Sequence, residues 1–78
     1  MPTIYREGAY RFFFSSREES RRPVHVQAPT GVAKFWPEPI VALAVSHGLG
    51  EHDLRRIEAT VREHTDEFSS AWRRHFSQ

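Results

Sequence analysis

Three polar side chains in strand-like segments have the residue types that acid–base chemistry needs. His25, Lys34 and Arg11 each lie in a short segment rich in aromatic and β-branched residues. An imidazole titrates close to neutral pH and can act as a general base. Cationic side chains can stabilise the charge that develops on a phosphate group during RNA cleavage. The sequence places no second acid or base beside this set, so we favour an ordinary solvated sheet face and expect no catalytic residues.

Trp36 and Phe13 are the aromatic residues that could bind a partner at the surface. Exposed rings can stack on single-stranded bases while Arg11 and Lys34 contact phosphates. A chain of 78 residues needs most of its aromatic side chains in the core. The candidate binding residues are therefore His25, Lys34, Arg11 and Trp36.

The histidines do not form a recognisable metal motif. The chain has five histidines and no cysteine, which excludes thiolate ligands for zinc. His47 and His52 are five residues apart, and His64 and His75 are separated by three helical turns, about 16 Å. Neither pair has a usual ligand spacing, and no His-Glu-x-x-His motif occurs. We therefore expect neither a metal site nor a cofactor.

The length and charge distribution of the chain limit the kinds of protein that it can be. The 78 residues form one domain, 1–78. Residues 1–35 contain six basic and three acidic side chains, whereas residues 36–78 contain five basic and seven acidic ones. A nucleic-acid-binding domain usually has a stronger basic bias, so this asymmetry permits an anionic partner without requiring one. No apolar run approaches the ~20 residues that span a bilayer, and no signal peptide is evident, so we expect a cytoplasmic protein without a membrane partner.

Alternating side chains predict a sheet over about residues 3–45, followed by a helical part over about 51–76. Gly8 can adopt the positive φ that a tight turn after the first strand needs. A polar, charged loop is predicted at 16–23. The last strand is a short apolar run, which we interpret as a buried strand rather than a helical turn. The predicted strands are 3–5, 10–15, 24–28, 32–36 and 40–45.

The third and fourth strands have a predictable register. The turn at 29–30 is tight, with proline at its second position. The simplest pairing joins Ala28 with Gly31, which places His25 opposite Lys34. A slip of one residue would move both side chains to the other face.

After Gly50, apolar residues recur at steps of three and four, which predicts one bent helix or a helix pair with a break near His64. The expected fold is α+β, with a mostly antiparallel sheet of four to five strands and the C-terminal helices on one face. Ion pairs are expected between Glu51 and Arg55 and between Glu58 and Arg62. The expected core joins helix residues to strand residues: Leu54, Ile57, Val61, Phe68 and Trp72 with Tyr10, Phe12, Phe14, Val24 and Val26.

Seven short motifs follow one another along nearly the whole chain: Pro2-Thr3-Ile4, Arg11-Phe12-Phe13-Phe14, Val24-His25-Val26, Ala33-Lys34-Phe35-Trp36, His47-Gly48-Leu49, Leu54-Arg55-Arg56-Ile57 and Glu67-Phe68 with Ala71-Trp72. In this order they resemble the small bacterial family catalogued as domain of unknown function 4160. The resemblance implies no established activity. It implies a second small protein from an adjacent gene as partner, and some such pairs are suspected toxin–antitoxin modules. The family typically carries His-Val-His-Val, and here Pro23 replaces the first histidine, which puts any two-histidine role in doubt.

We therefore expect a non-catalytic protein-interaction or regulatory module, one member of a toxin–antitoxin-like gene pair. The first alternative is a small RNA-cleaving toxin that uses His25, Lys34 and Arg11. The second is a nucleic-acid-binding module that uses the basic N-terminal half. A homodimer also remains open.

Overall fold

The computed structural model describes residues 3–14 and 23–76, excluding the side chains at 75 and 76. The polar loop predicted at 16–23 lies outside the described residues except for Pro23, which is buried. Five strands precede two helices, so the expected α+β fold is confirmed. The elements are β1 (Thr3–Glu7), β2 (Tyr10–Phe13), β3 (Val24–Ala28), β4 (Gly31–Trp36), β5 (Ala42–His47), α1 (Glu51–Glu63) and α2 (Thr65–Phe76).

The strands form one antiparallel sheet in the order β1-β2-β3-β4-β5, so each strand pairs with its neighbours in sequence. The predicted register of β3 and β4 is confirmed: Ala28 pairs with Gly31, and His25 pairs with Lys34. Gly8 has a φ of 58°, which is the left-handed conformation that the turn between β1 and β2 requires.

Gly31 allows β4 and β5 to approach closely at one end of the sheet. A Cβ atom at this position would lie 2.0 Å from the carbonyl oxygen of His47 and 2.9 Å from the Cα atom of Gly48. Both contacts are with backbone, which cannot rotate away as a side chain could. The absence of a side chain at Gly31 therefore sets the position of β5 beside β4.

The core lies between one face of the sheet and the two helices. Ile57, Val61 and Phe68 of the helices are buried, as expected, and the ring of Phe68 stacks on that of Phe12 at 5.7 Å. Tyr10, Leu54 and Trp72, also assigned to the core, are half-buried and pack against it. Phe14, just after β2, is also buried, and the buried strand residues are Phe12, Val24, Val26, Ala33 and Phe35.

The helical part divides where the sequence predicts. Gly50 is the N-cap of α1, and α1 ends with His64 as its C-cap. The amide of His64 donates to the carbonyl oxygens of Thr60 and Val61 before α2 begins. The two expected ion pairs on α1 are present, at 3.1 Å and 2.7 Å. Neither helix in the described part of the chain is both long and apolar enough to cross a bilayer.

Two side-chain hydrogen bonds connect α1 to the first hairpin. The buried hydroxyl group of Thr60 donates to the carboxylate of Glu7 at 2.9 Å. The hydroxyl group of Tyr10 donates to the carboxylate of Asp53 at 2.6 Å. These contacts join residues far apart in sequence and were not predicted. They fix α1 against the side of the sheet that carries the core.

The prediction of a buried strand at 40–45 is wrong in position and in burial. The strand is β5, Ala42–His47, and residues 42–45 are exposed. The reason is topological: β5 is the edge strand, and the buried cluster is built on β2, β3 and β4 with the helices. An apolar run therefore borders solvent here instead of filling the core.

Candidate functional site

The two sides of the sheet differ in what covers them. Because successive strand residues point to opposite faces, the neighbours of core residues in β2, β3 and β4 point away from the helices. We call this second side the open face. Its described strand residues, assigned from the register, are Thr3, Arg6, Arg11, Phe13, His25, Gln27, Val32, Lys34, Trp36, Ala42, Val45 and His47.

All four candidate binding residues lie on the open face. Arg11, His25, Lys34 and Trp36 are each half-buried, although no described helix covers them. The partial burial comes from contacts with their neighbours across and along the strands. The predicted register placed His25 and Lys34 on one face, and the structure shows that Arg11 and Trp36 share it.

Phe13 lies between two of the polar candidates. The imidazole of His25, directly opposite on β3, stacks on the ring of Phe13 at 5.5 Å and an interplanar angle of 22°. The guanidinium carbon of Arg11 lies 4.6 Å from the centroid of the same ring. Aromatic stacking and cation–π contact thus hold both side chains close to the sheet.

Arg11 is further fixed by hydrogen bonds to neutral groups. Its Nε atom donates to the hydroxyl oxygen of Thr3 at 2.6 Å, and its Nη1 atom donates to the amide oxygen of Gln27 at 3.0 Å. These two hydrogen bonds and the contact with the Phe13 ring hold the guanidinium against the open face. Lys34 has a similar arrangement, with its ammonium nitrogen 5.3 Å from the centroid of the Trp36 ring.

A groove of about 310 Å³ crosses the open face from β2 to β5. We call it the central groove and define it by the open-face residues that line it: Phe13, His25, Val32, Lys34, Val45 and His47. Of the four candidates, His25 and Lys34 line this groove, whereas Arg11 and Trp36 do not. Arg11 instead lines a second depression of about 340 Å³ with Arg6 and Gln27.

His47 was missed as a member of the same surface as His25. The predicted last strand, 40–45, ended before it, whereas in the structure it is the final residue of β5, paired with Val32. The signal that could have found it is the alternation along β4: once Val32 is on the open face, its partner on β5 is there too. The open face therefore has two histidines despite Pro23.

The chemistry of the open face is cationic and apolar. None of the described strand residues on it is acidic. Glu7 turns instead toward α1, and Glu38 accepts a hydrogen bond from Ser69 of α2 at 2.8 Å. No group of three histidine, aspartate or glutamate side chains gathers in a metal-binding arrangement within residues 3–14 and 23–76. The surface can thus bind an anionic or apolar group, and none of its described strand residues supplies a carboxylate as a general base.

The chain belongs to the family described as Domain of unknown function (DUF4160), whose model matches residues 9–73. This match covers β2 to β5 and most of the helical part, so it includes the central groove. No curated protein matches the chain significantly, and neither does any solved structure. The family assignment confirms the resemblance and leaves the activity to be inferred from the site.

Proposed function

We propose that this chain is a non-catalytic protein-interaction module that binds a partner protein through its open face and the neighbouring edge strand. One observation carries the proposal: exposed large apolar side chains gather around β5. On the open face, Val32 is 46% exposed and Val45 is 44% exposed. Leu43, on the other side of β5, is 43% exposed, and Ile40, just before β5, is 75% exposed. Apolar side chains that cluster at a surface are characteristic of interaction sites.

The edge of β5 supports the same proposal. An edge strand presents unpaired backbone groups, and proteins usually protect such an edge with charged residues or proline. Residues 42–46 contain neither, whereas the other edge strand, β1, contains Arg6 and Glu7. An extended segment of a partner can therefore add to the sheet at β5 and cover the exposed apolar residues.

The partner that we propose is a small protein from a neighbouring gene, in a regulatory pair of the toxin–antitoxin type. This part of the proposal rests on the association of the family with adjacent small genes. The structure contributes the exposed apolar surface around β5 that such a partner can cover.

Affinity capture from the host with the full-length chain tests the proposal. The double variant Val32→Ser/Val45→Ser removes apolar surface from the central groove, and Ala59→Ser on the exposed side of α1 serves as control. We expect a stoichiometric partner that the wild type and the control capture and the double variant loses. A partner retained by the double variant, or no stoichiometric partner at all, would contradict the proposed surface.

RNA cleavage is the second candidate function because His47 supplies the second titratable side chain that the sequence did not place. His25, Lys34 and His47 line one groove, and a pair of histidines beside a cation can supply a base, an acid and charge stabilisation. Expression of the wild type and of His25→Ala in the host tests this candidate. Growth arrest that His25→Ala abolishes would favour cleavage, and unchanged growth with both would exclude it.

A further inference from the structure

The described charged side chains of the open face are all basic. Arg6, Arg11 and Lys34 lie on it with two histidines, and no described strand residue there is acidic. The carboxylates of Glu7 and Glu38, which flank the sheet, are hydrogen-bonded to the helices instead. The described basic side chains of residues 1–35 thus all lie on one face of the sheet. Charge complementarity across an interface then favours an acidic partner.

The central groove adds a requirement for an apolar group. Val32, Val45 and Phe13 supply apolar walls, and Lys34 and the two histidines supply the polar ones. Its volume of about 310 Å³ is at the lower end for small-molecule sites, ~300–1,000 Å³. One large apolar side chain fits this space better than a free metabolite with many polar groups.

The aromatic rings of the open face already contact neighbouring side chains, which argues against a nucleic acid as the partner. Single-stranded nucleic acids bind by stacking bases on available ring faces along a strongly basic groove. Phe13 already contacts His25 and Arg11, and Trp36 already contacts Lys34. The net charge of +1 also gives little long-range attraction for a polyanion.

We infer that the partner contacts the open face with an extended acidic segment that places one large apolar side chain in the central groove. The segment adds to the edge of β5, which contains no charged residue between positions 42 and 46. Its carboxylates lie near Lys34 on β4, the basic residue of the open face closest to β5. This inference rests on the proposed function and adds the chemistry of the partner.

Selection from a phage library of random peptides of about a dozen residues tests the inference on the full-length chain. We expect the enriched peptides to be acidic and to contain Phe, Trp or Leu. A labelled enriched peptide should bind Lys34→Glu about tenfold more weakly than the wild type, and binding should fall as salt increases. Arg55→Glu, an equal charge reversal on the exposed side of α1, should leave the affinity unchanged. Lys34→Gln should show a smaller loss in the same direction, even if the reversed charge disturbs the fold.

Several outcomes would overturn the inference. Enriched peptides that are neutral or basic, or equal losses for Lys34→Glu and Arg55→Glu, would remove the charge argument. If single-stranded oligouridylate binds tightly and competes with the peptide, the ligand of the open face is a nucleic acid and not an acidic segment. A native partner that is lost by Val32→Ser/Val45→Ser but retained by Lys34→Glu would leave the proposed function standing and refute the acidic segment alone.

Discussion

His25 on β3 lies directly opposite Lys34 on β4, and both side chains point away from the helices. Their strand neighbours are core residues, so alternation requires that these two face outward. The pair therefore depends on the same register that builds the core. A slip that buried either side chain would also expose the valines of β3.

Replacement of Phe68 by alanine should cost about 3–5 kcal/mol of the free energy of unfolding. Phe68 is 2% exposed and stacks on Phe12, so alanine leaves a cavity at the centre of the core. Urea denaturation measures the loss, and Phe68→Leu, which leaves a smaller cavity and should cost less, keeps the measurement accessible if the alanine variant unfolds. Phe13→Ala on the open face is the control. Equal losses for the two phenylalanines would contradict a core on one side of the sheet.

Replacement of Thr60 by valine should cost about 1–2 kcal/mol, because it removes a hydroxyl group and keeps the shape. That hydroxyl is buried and donates to Glu7 across the interface between α1 and β1. A double-mutant cycle with Glu7→Gln isolates the interaction. In the Thr60→Val background, Glu7→Gln should cost less than it does in the wild type. Additive losses would mean that the two side chains do not interact.

The phenol of Tyr10 should lose its stabilising effect at alkaline pH. Its hydrogen bond to Asp53 raises the pKa of Tyr10 above its ordinary value of 10.0, and partial burial adds to the shift. A pKa that is raised in the folded state stabilises the fold below pH ~10, and this contribution is lost as the pH rises through the folded pKa. The difference in urea midpoint between the wild type and Tyr10→Phe should therefore shrink above pH ~10. A difference that is constant with pH would contradict the hydrogen bond.

Replacement of Gly31 by alanine should separate β5 from β4 and cost about 1–3 kcal/mol. The added methyl group would meet the backbone of His47 and Gly48, which can relieve the clash only by moving β5. Amide hydrogen exchange should accelerate in β5 more than in β3. Gly50→Ala is the matched control, because nothing lies within 4 Å of a Cβ atom there and its φ is −80°. Unchanged exchange in β5 would contradict the close approach.

The sheet up to β4 could be predicted because local signals specify it. A two-residue turn at 29–30 sets the register of β3 and β4, and alternation then assigns each side chain to a face. The same reasoning placed His25 opposite Lys34 on one face. These inferences need only short-range chain geometry, which the sequence contains.

The groove itself could not be predicted, because it depends on β5. An apolar run at 40–45 has the same composition whether it forms an exposed edge strand or a buried strand. Only the packing of the helices against the sheet decides between the two. The irregularity between Lys34 and Phe35 in the pairing of β4 with β5 also shifts the register there. His47 was therefore missed, and with it the second histidine of the central groove.

Substitution of Val45 by serine should change the free energy of unfolding by less than about 1 kcal/mol. Val45 is 44% exposed on the open face, so its methyl groups contribute little to the core. Val26→Ser, in the fully buried position on the opposite face, should cost about 3 kcal/mol or more, since it removes buried methyl groups and buries a hydroxyl. Urea denaturation of the two variants measures this contrast. A large loss for Val45→Ser would mean that Val45 supports the fold, and the loss of a partner in the Val32→Ser/Val45→Ser variant could then reflect unfolding instead of a missing contact.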